Sequence, residues 1–161
     1  MIQSFSQARP TQSRPGHMFT PSQADVRRFF CSVLAKQKQG TPLDPMEALA
    51  GDWISLHPEY HEALSDEAQA LARMYDVEAG QTNPFLHLSM HLTLSEQYRI
   101  DQPKGVKQAL DGLTVRMGSL HRAHHEAMEC LGQMVWESQR SGRPPDGHAY
   151  VDALLQRASR K

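Results

Sequence analysis

Apolar residues recur along this chain three and four positions apart, the spacing of one helix face, and no stretch shows the strict alternation of a half-buried strand. Val26, Phe29, Phe30, Val33 and Leu34 form the first stripe. Ser22 precedes it as an N-cap, Asp25 completes a capping box, and Gly40 stops it. Arg27 and Arg28 fall off the stripe and read as a solvated face. Asp44-Pro45-Met46-Glu47 writes a second start, with an Asp cap, Pro at the first helical position and Glu at the third. Met46, Leu49, Ala50, Trp53, Ile54 and Leu56 carry that helix to about His57, where Pro58 disfavours helical backbone in the residue before it. A short helix with Tyr60, His61 and Leu64 follows, capped by His57, and Ser65-Asp66 opens another to about Tyr75.

Asn83-Pro84 repeats the cap-plus-proline start and predicts a helix to about Ile100. Its Phe85, Leu86, Leu88, Met90, Leu92 and Leu94 surround nearly the whole circumference, which predicts burial on most sides. Val106, Leu110, Leu113, Val115 and Met117 mark the next helix, ending at Gly118. Ser119 caps a long one to Ser141, and Gly142-Arg143-Pro144-Pro145-Asp146 separates it from a terminal helix with Tyr150, Val151, Leu154 and Leu155. Phe29, Phe30, Trp53, Met90, Met134 and Trp136 sit at helical spacing and read as core. The expectation is an all-α, single-domain helical bundle of about six to seven helices over residues 20–161. Residues 1–19, rich in Gln, Ser, Arg and Pro, read as a disordered leader, with Met18 as an alternative start.

A formal net charge of −1 and 39% apolar residues describe a soluble protein and give no reason to expect nucleic acid or an anionic membrane as partner. No run reaches the ~20 apolar residues of a membrane span, and the first residues lack a secretory pattern, so the expected location is the cytoplasm. Cys31 and Cys130 are isolated within helical patterns and read as buried, reduced thiols.

Chemistry enters with the nine histidines. Three pairs are four residues apart: His57 and His61, His87 and His91, His121 and His125. In a helix that spacing puts both rings on one face, as metal-binding helices do. His87 and His91 lie on the most apolar helix, where an imidazole without a partner costs about 1–3 kcal/mol. Pro58 makes the 57/61 pair less surely co-facial. His121, His125 and Glu129 form an i, i+4, i+8 stripe, and one carboxylate among several imidazoles is a ligand set of zinc, non-haem iron and manganese. His124 points nearer the apolar side of its helix, Glu126 points away from the stripe, Glu96 lies roughly opposite His87 and reads as a partner for Arg99 or for another helix, and His17 and His148 read as incidental. Six ligands exceed the four of a closed structural zinc site, which favours an iron or manganese centre of one or two ions acting on a small molecule or oxidant, with zinc also compatible. The alternative is a metal-free interaction or adaptor protein whose histidines hydrogen-bond within the core. Haem is disfavoured by the lack of a C-x-x-C-H motif, and no G-x-S-x-G nucleophile is present.

Four strings carry a resemblance: Arg27-Arg28-Phe29-Phe30, Asp52-Trp53-Ile54-Ser55-Leu56-His57-Pro58-Glu59-Tyr60-His61, Asn83-Pro84-Phe85-Leu86-His87-Leu88-Ser89-Met90-His91 and Met128-Glu129-Cys130-Leu131-Gly132. From Met18 onward the chain resembles an uncharacterised bacterial family, domain of unknown function 1841. That resemblance implies no established activity. Carried over residue by residue, it supports His57, His61, His87, His91, His125 and Glu129 as the site, and it does not place His121 or His124.

Overall fold

The structure, a computed structural model, describes residues 22–161. The expected leader of residues 1–19, with His17 and Met18, lies outside them. Helix α1 (Gln23–Gln39) opens on the Ser22–Asp25 capping box and ends at Gly40, whose φ of 67° is open to glycine without a Cβ clash. Helix α2 (Pro45–Ser55) opens on the second box, Asp44 with Glu47. A 3-10 turn (Pro58–Tyr60) and two short helices, α3 (His61–Leu64) and α4 (Glu67–Ala72), lead to α5 (Pro84–Ile100), α6 (Val106–Met117), α7 (Leu120–Ser141) and α8 (Gly147–Ser159). The fold is all-α, and the eight α-helices among the described residues exceed the six to seven expected. The count is raised by the two short helices after Pro58, α3 and α4, each of which stands as a helix of its own on either side of the Asp66 cap. No helix of the described residues is long and apolar enough to cross a membrane.

Two apolar clusters share α5. Phe30, Val33 and Leu34 of α1, Trp53 and Ile54 of α2, Leu64 and Ala70 pack around Phe85 and Leu88. Leu94 belongs to the second cluster, with Val106, Leu110 and Leu113 of α6, Ala123, Ala127 and Leu131 of α7, and Tyr150, Val151 and Leu154 of α8. Each fully buried aliphatic or aromatic side chain adds about 1.5–3 kcal/mol, so α5 couples two separately stabilised groups of helices. Burial of α5 is less complete than its sequence predicts, because Leu86 faces outward and is 51% exposed. Trp136 is likewise exposed rather than core, its indole lying 4.7 Å from the Arg140 guanidinium. Cys31 and Cys130 are buried and free.

Arg27 is not the solvated residue its position off the stripe suggests. Its guanidinium donates to the carbonyls of Ala70 and Arg73, each at 2.7 Å, and lies 5.5 Å and 5.3 Å from the ring centres of Tyr75 and Phe85. Arg73 leaves the helical path (φ −70°, ψ 129°), so α4 stops at Ala72 and not at Tyr75, and Arg27 satisfies carbonyls at the end of that helix. Arg27→Ala should lower stability by about 1–3 kcal/mol, read as a shift in the urea midpoint. Arg28, half-exposed and only 3.5 Å and 3.8 Å from Asp25 and Glu67, should change it by no more than about 0.5 kcal/mol. Equal effects of the two substitutions would remove Arg27 from this role.

Candidate metal centre

Pro58 ends α2 and takes His57 off the helical path (φ −126°, ψ 64°). The His57 ring remains buried, and its Nδ1–H donates to the Trp53 carbonyl at 2.8 Å. That bond settles the tautomer: the proton is on Nδ1, and the Nε2 lone pair faces inward. Around it gather rings from two other helices. His121 Nε2 of α7 lies 3.0 Å from His57 Nε2, and His87 and His91 of α5 bring their Nε2 atoms to 3.2 Å and 3.3 Å. His87 Nε2 also lies 3.1 Å from His125 Nε2. The ligand atoms of His57, His91, His121 and His125 all fall within 4.8 Å of one another, an arrangement that could hold a metal ion. Two nitrogens bound at 2.0–2.1 Å to one tetrahedral ion lie roughly 3.3 Å apart, close to the shorter of these separations.

Aromatic walls position the cluster. Trp53 stacks on His91 with centroids 4.0 Å apart and on His124 at 4.5 Å, while its indole N–H donates to Ser95 Oγ at 3.0 Å. Tyr60, on the 3-10 turn, lies parallel to His57 at 5.1 Å. His91 and His57 form the buried floor, and His125 is exposed, opening on a groove it shares with Met117, Arg122, Glu126 and Glu129.

Two residues expected at the site point elsewhere. His61 places Nε2 2.9 Å from the Ile54 carbonyl, a hydrogen bond that ties the 3-10 segment back to α2. The break at Pro58 removes the helical phase that would have made it co-facial with His57. Glu129 is bound to Arg157 of α8 at 2.8 Å, and Glu126 shares the same guanidinium at 2.8 Å. Each four-residue step on an α-helix advances about 40° beyond a full turn, so Glu129 stands roughly 80° from His121, on the side facing α8. His124, roughly 60° from His121 in the other direction, is drawn in: it is buried, with Nδ1 3.0 Å from His91 Nδ1. Its neighbours Ala123 and Ala127, both on the buried side of α7, were the signal for it. Glu96 pairs with Arg99 as its spacing suggests, and His148 is exposed on α8.

His87, His91, His121, His124 and His125 are held neutral. Burial, followed by the neighbouring imidazoles, pushes His87 down to about 4 and His91 further, and burial above all takes His124 to about 4. His121 and His125 are also lowered, again first by burial. Glu59, two residues beyond His57, exerts the one opposing field on His87, His121 and His125, and it is weaker than the desolvation. Neutral imidazoles with lone pairs available at pH 7 are the protonation state that metal coordination requires.

Fold and site together define a class: an all-helical protein whose central helices converge on a cluster of histidines that could bind a metal ion. The chain belongs to the family described as Domain of unknown function (DUF1841), whose model matches residues 22–156. No curated protein and no solved structure matches it.

Proposed function

We propose that this protein is a metal-binding protein whose centre is held by His57, His87, His91, His121 and His125, with a role in the chemistry of dioxygen or another small oxidant. The observation that carries this reading is the crowding at His57 Nε2. Its single lone pair faces three imidazole nitrogens at 3.0–3.3 Å, and at most one of them can donate to it well. A metal-free core would leave the other contacts unsatisfied, at about 1–3 kcal/mol each. One cation accepts all of these lone pairs. The adaptor reading, with histidines bonded only to each other, asks the one lone pair on His57 Nε2 to accept up to three N–H groups.

With Glu129 bound by Arg157, the remaining donors are imidazoles, a set that suits iron and zinc better than manganese. Five rings exceed the four ligands of a closed structural zinc site, which keeps iron in front. When bound, such an ion supplies Lewis-acid or one-electron chemistry. The chain's own residues hold it from the buried side through His57 and His91, and the His87–His125 edge admits the small molecule. Protein purified without a His tag from cells grown without added metal should carry iron at about one to two equivalents, with a visible spectrum that changes on oxidation. Stoichiometric zinc and a colourless, oxidant-insensitive spectrum would replace the redox role with a zinc site. Metal absent after purification and not taken up on addition of iron(II) or zinc(II) would overturn the centre itself.

A further inference from the structure

His124 lies outside the ligand set and yet is one of the three buried polar or charged residues among those described, the other two being His57 and His91. Its Nδ1 is 3.0 Å from His91 Nδ1, and its ring, like that of His91, is stacked against Trp53. Two neutral imidazole nitrogens in contact must share a single proton. His91 offers the cluster its other nitrogen, Nε2, and a ring that binds a metal through Nε2 keeps its proton on Nδ1. We propose that His124 is a positioning residue: its Nδ1 accepts the Nδ1–H of His91, which fixes the tautomer and ring plane that aim His91 Nε2 at the centre, a role that rests on the metal-centre reading above.

His57 is held in the same sense by a different device. There the Trp53 carbonyl accepts the Nδ1–H at 2.8 Å. Ligating histidines characteristically donate their second ring N–H to a carbonyl or carboxylate, and such partners orient the ring and raise its basicity. No carbonyl or carboxylate bonds to His91 Nδ1 among the described residues, so the neighbouring imidazole fills that place. The stripe that carries His121 and His125 into the centre thus has a companion one turn along α7 with a separate task. Trp53 links the two holding points, because its carbonyl orients His57 while its ring packs both His91 and His124.

The test compares His124→Leu, which keeps bulk and removes the acceptor, with His124→Asn, whose side-chain oxygen stands near the place of Nδ1. Zinc(II) is the diamagnetic probe, titrated against a chromophoric chelator, and the tautomer of His91 is read from its ring nitrogen-15 shifts with and without zinc. Metal-free wild type should show His91 protonated at Nδ1, and His124→Leu should shift it toward the Nε2–H form. Zinc affinity should fall about 10–100-fold in His124→Leu and recover to within a few-fold of wild type in His124→Asn, with helical circular dichroism retained in both. Wild-type His91 in the Nε2–H form, or equal zinc affinities in Leu and Asn variants, would overturn the positioning role. A wild type that keeps the Nδ1–H tautomer, dependent on His124, but takes up no zinc would sustain the positioning of His91 and overturn the metal centre.

Discussion

Replacing His91 by alanine is expected to abolish metal retention and to lower the stability of the metal-free protein by about 2–4 kcal/mol. His91 is fully buried, stacks on Trp53 at 4.0 Å, and faces both His57 and His124 across 3.3 Å and 3.0 Å. Truncation leaves a cavity against the indole and removes the partner of His124 Nδ1 in one step. It also removes the ligand of α5 that lies deepest in the site, and the more open His87 and His125 do not replace a nitrogen fixed at the floor. His148→Ala, on the exposed face of α8, should do neither. Metal analysis after desalting and urea unfolding of the metal-free forms read the two effects separately. Parallel behaviour of the two variants would mean that the histidines share no common site.

Acidification should destabilise the metal-free protein well above the carboxylate range. His87 and His124 are held down to about 4 in the folded state, and His91 further, against an ordinary value of 6.5. Between pH 6.5 and about 4 the unfolded chain therefore binds more protons than the folded one, so stability is full above 6.5 and falls as the pH drops through that window. His124, nearly inaccessible, accounts for on the order of 3 kcal/mol of that loss, and the more open His87 for less because solvent screens it. Against a total of about 5–15 kcal/mol, this is enough to bring the metal-free protein close to unfolding near pH 4. Denaturant midpoints measured from pH 8 to pH 4 should decline, and His124→Asn should flatten the slope by the share of one proton. A level profile between pH 6.5 and 5 would show that the cluster is not held neutral by burial.

Much of the fold is written locally. The Ser22 and Asp44 capping boxes, the Asn83-Pro84 start, the Ser119 cap and the glycines at 40, 118 and 142 place the starts of α1, α2, α5 and α7 and the ends of α1, α6 and α7 within a residue of where they stand, because a cap is a bond between neighbours. Local reasoning weakened where a distant group finished the element. α4 ends early where Arg27, more than forty residues before, donates to the carbonyls at its end, and no spacing in the sequence announces that contact.

The site divides along the same line. The i, i+4 spacing put His87 with His91 and His121 with His125, since helical phase alone brings those rings to one face. Pro58 marked the 57/61 pair as less surely co-facial, but His61 was still expected at the site, and its ring bonds the Ile54 carbonyl instead. Phase could not choose between the two flanks of α7. His124 and Glu129 stand on opposite sides of His121, and only the packing of α7 against Trp53 on one side and α8 on the other turned the histidine inward and gave the carboxylate to Arg157. The sequence by itself determined which helices carry imidazoles and on which face. The tertiary structure decided which donors meet, because the rotation of a helix is set by the volumes and charges of its neighbours, and those lie far away along the chain.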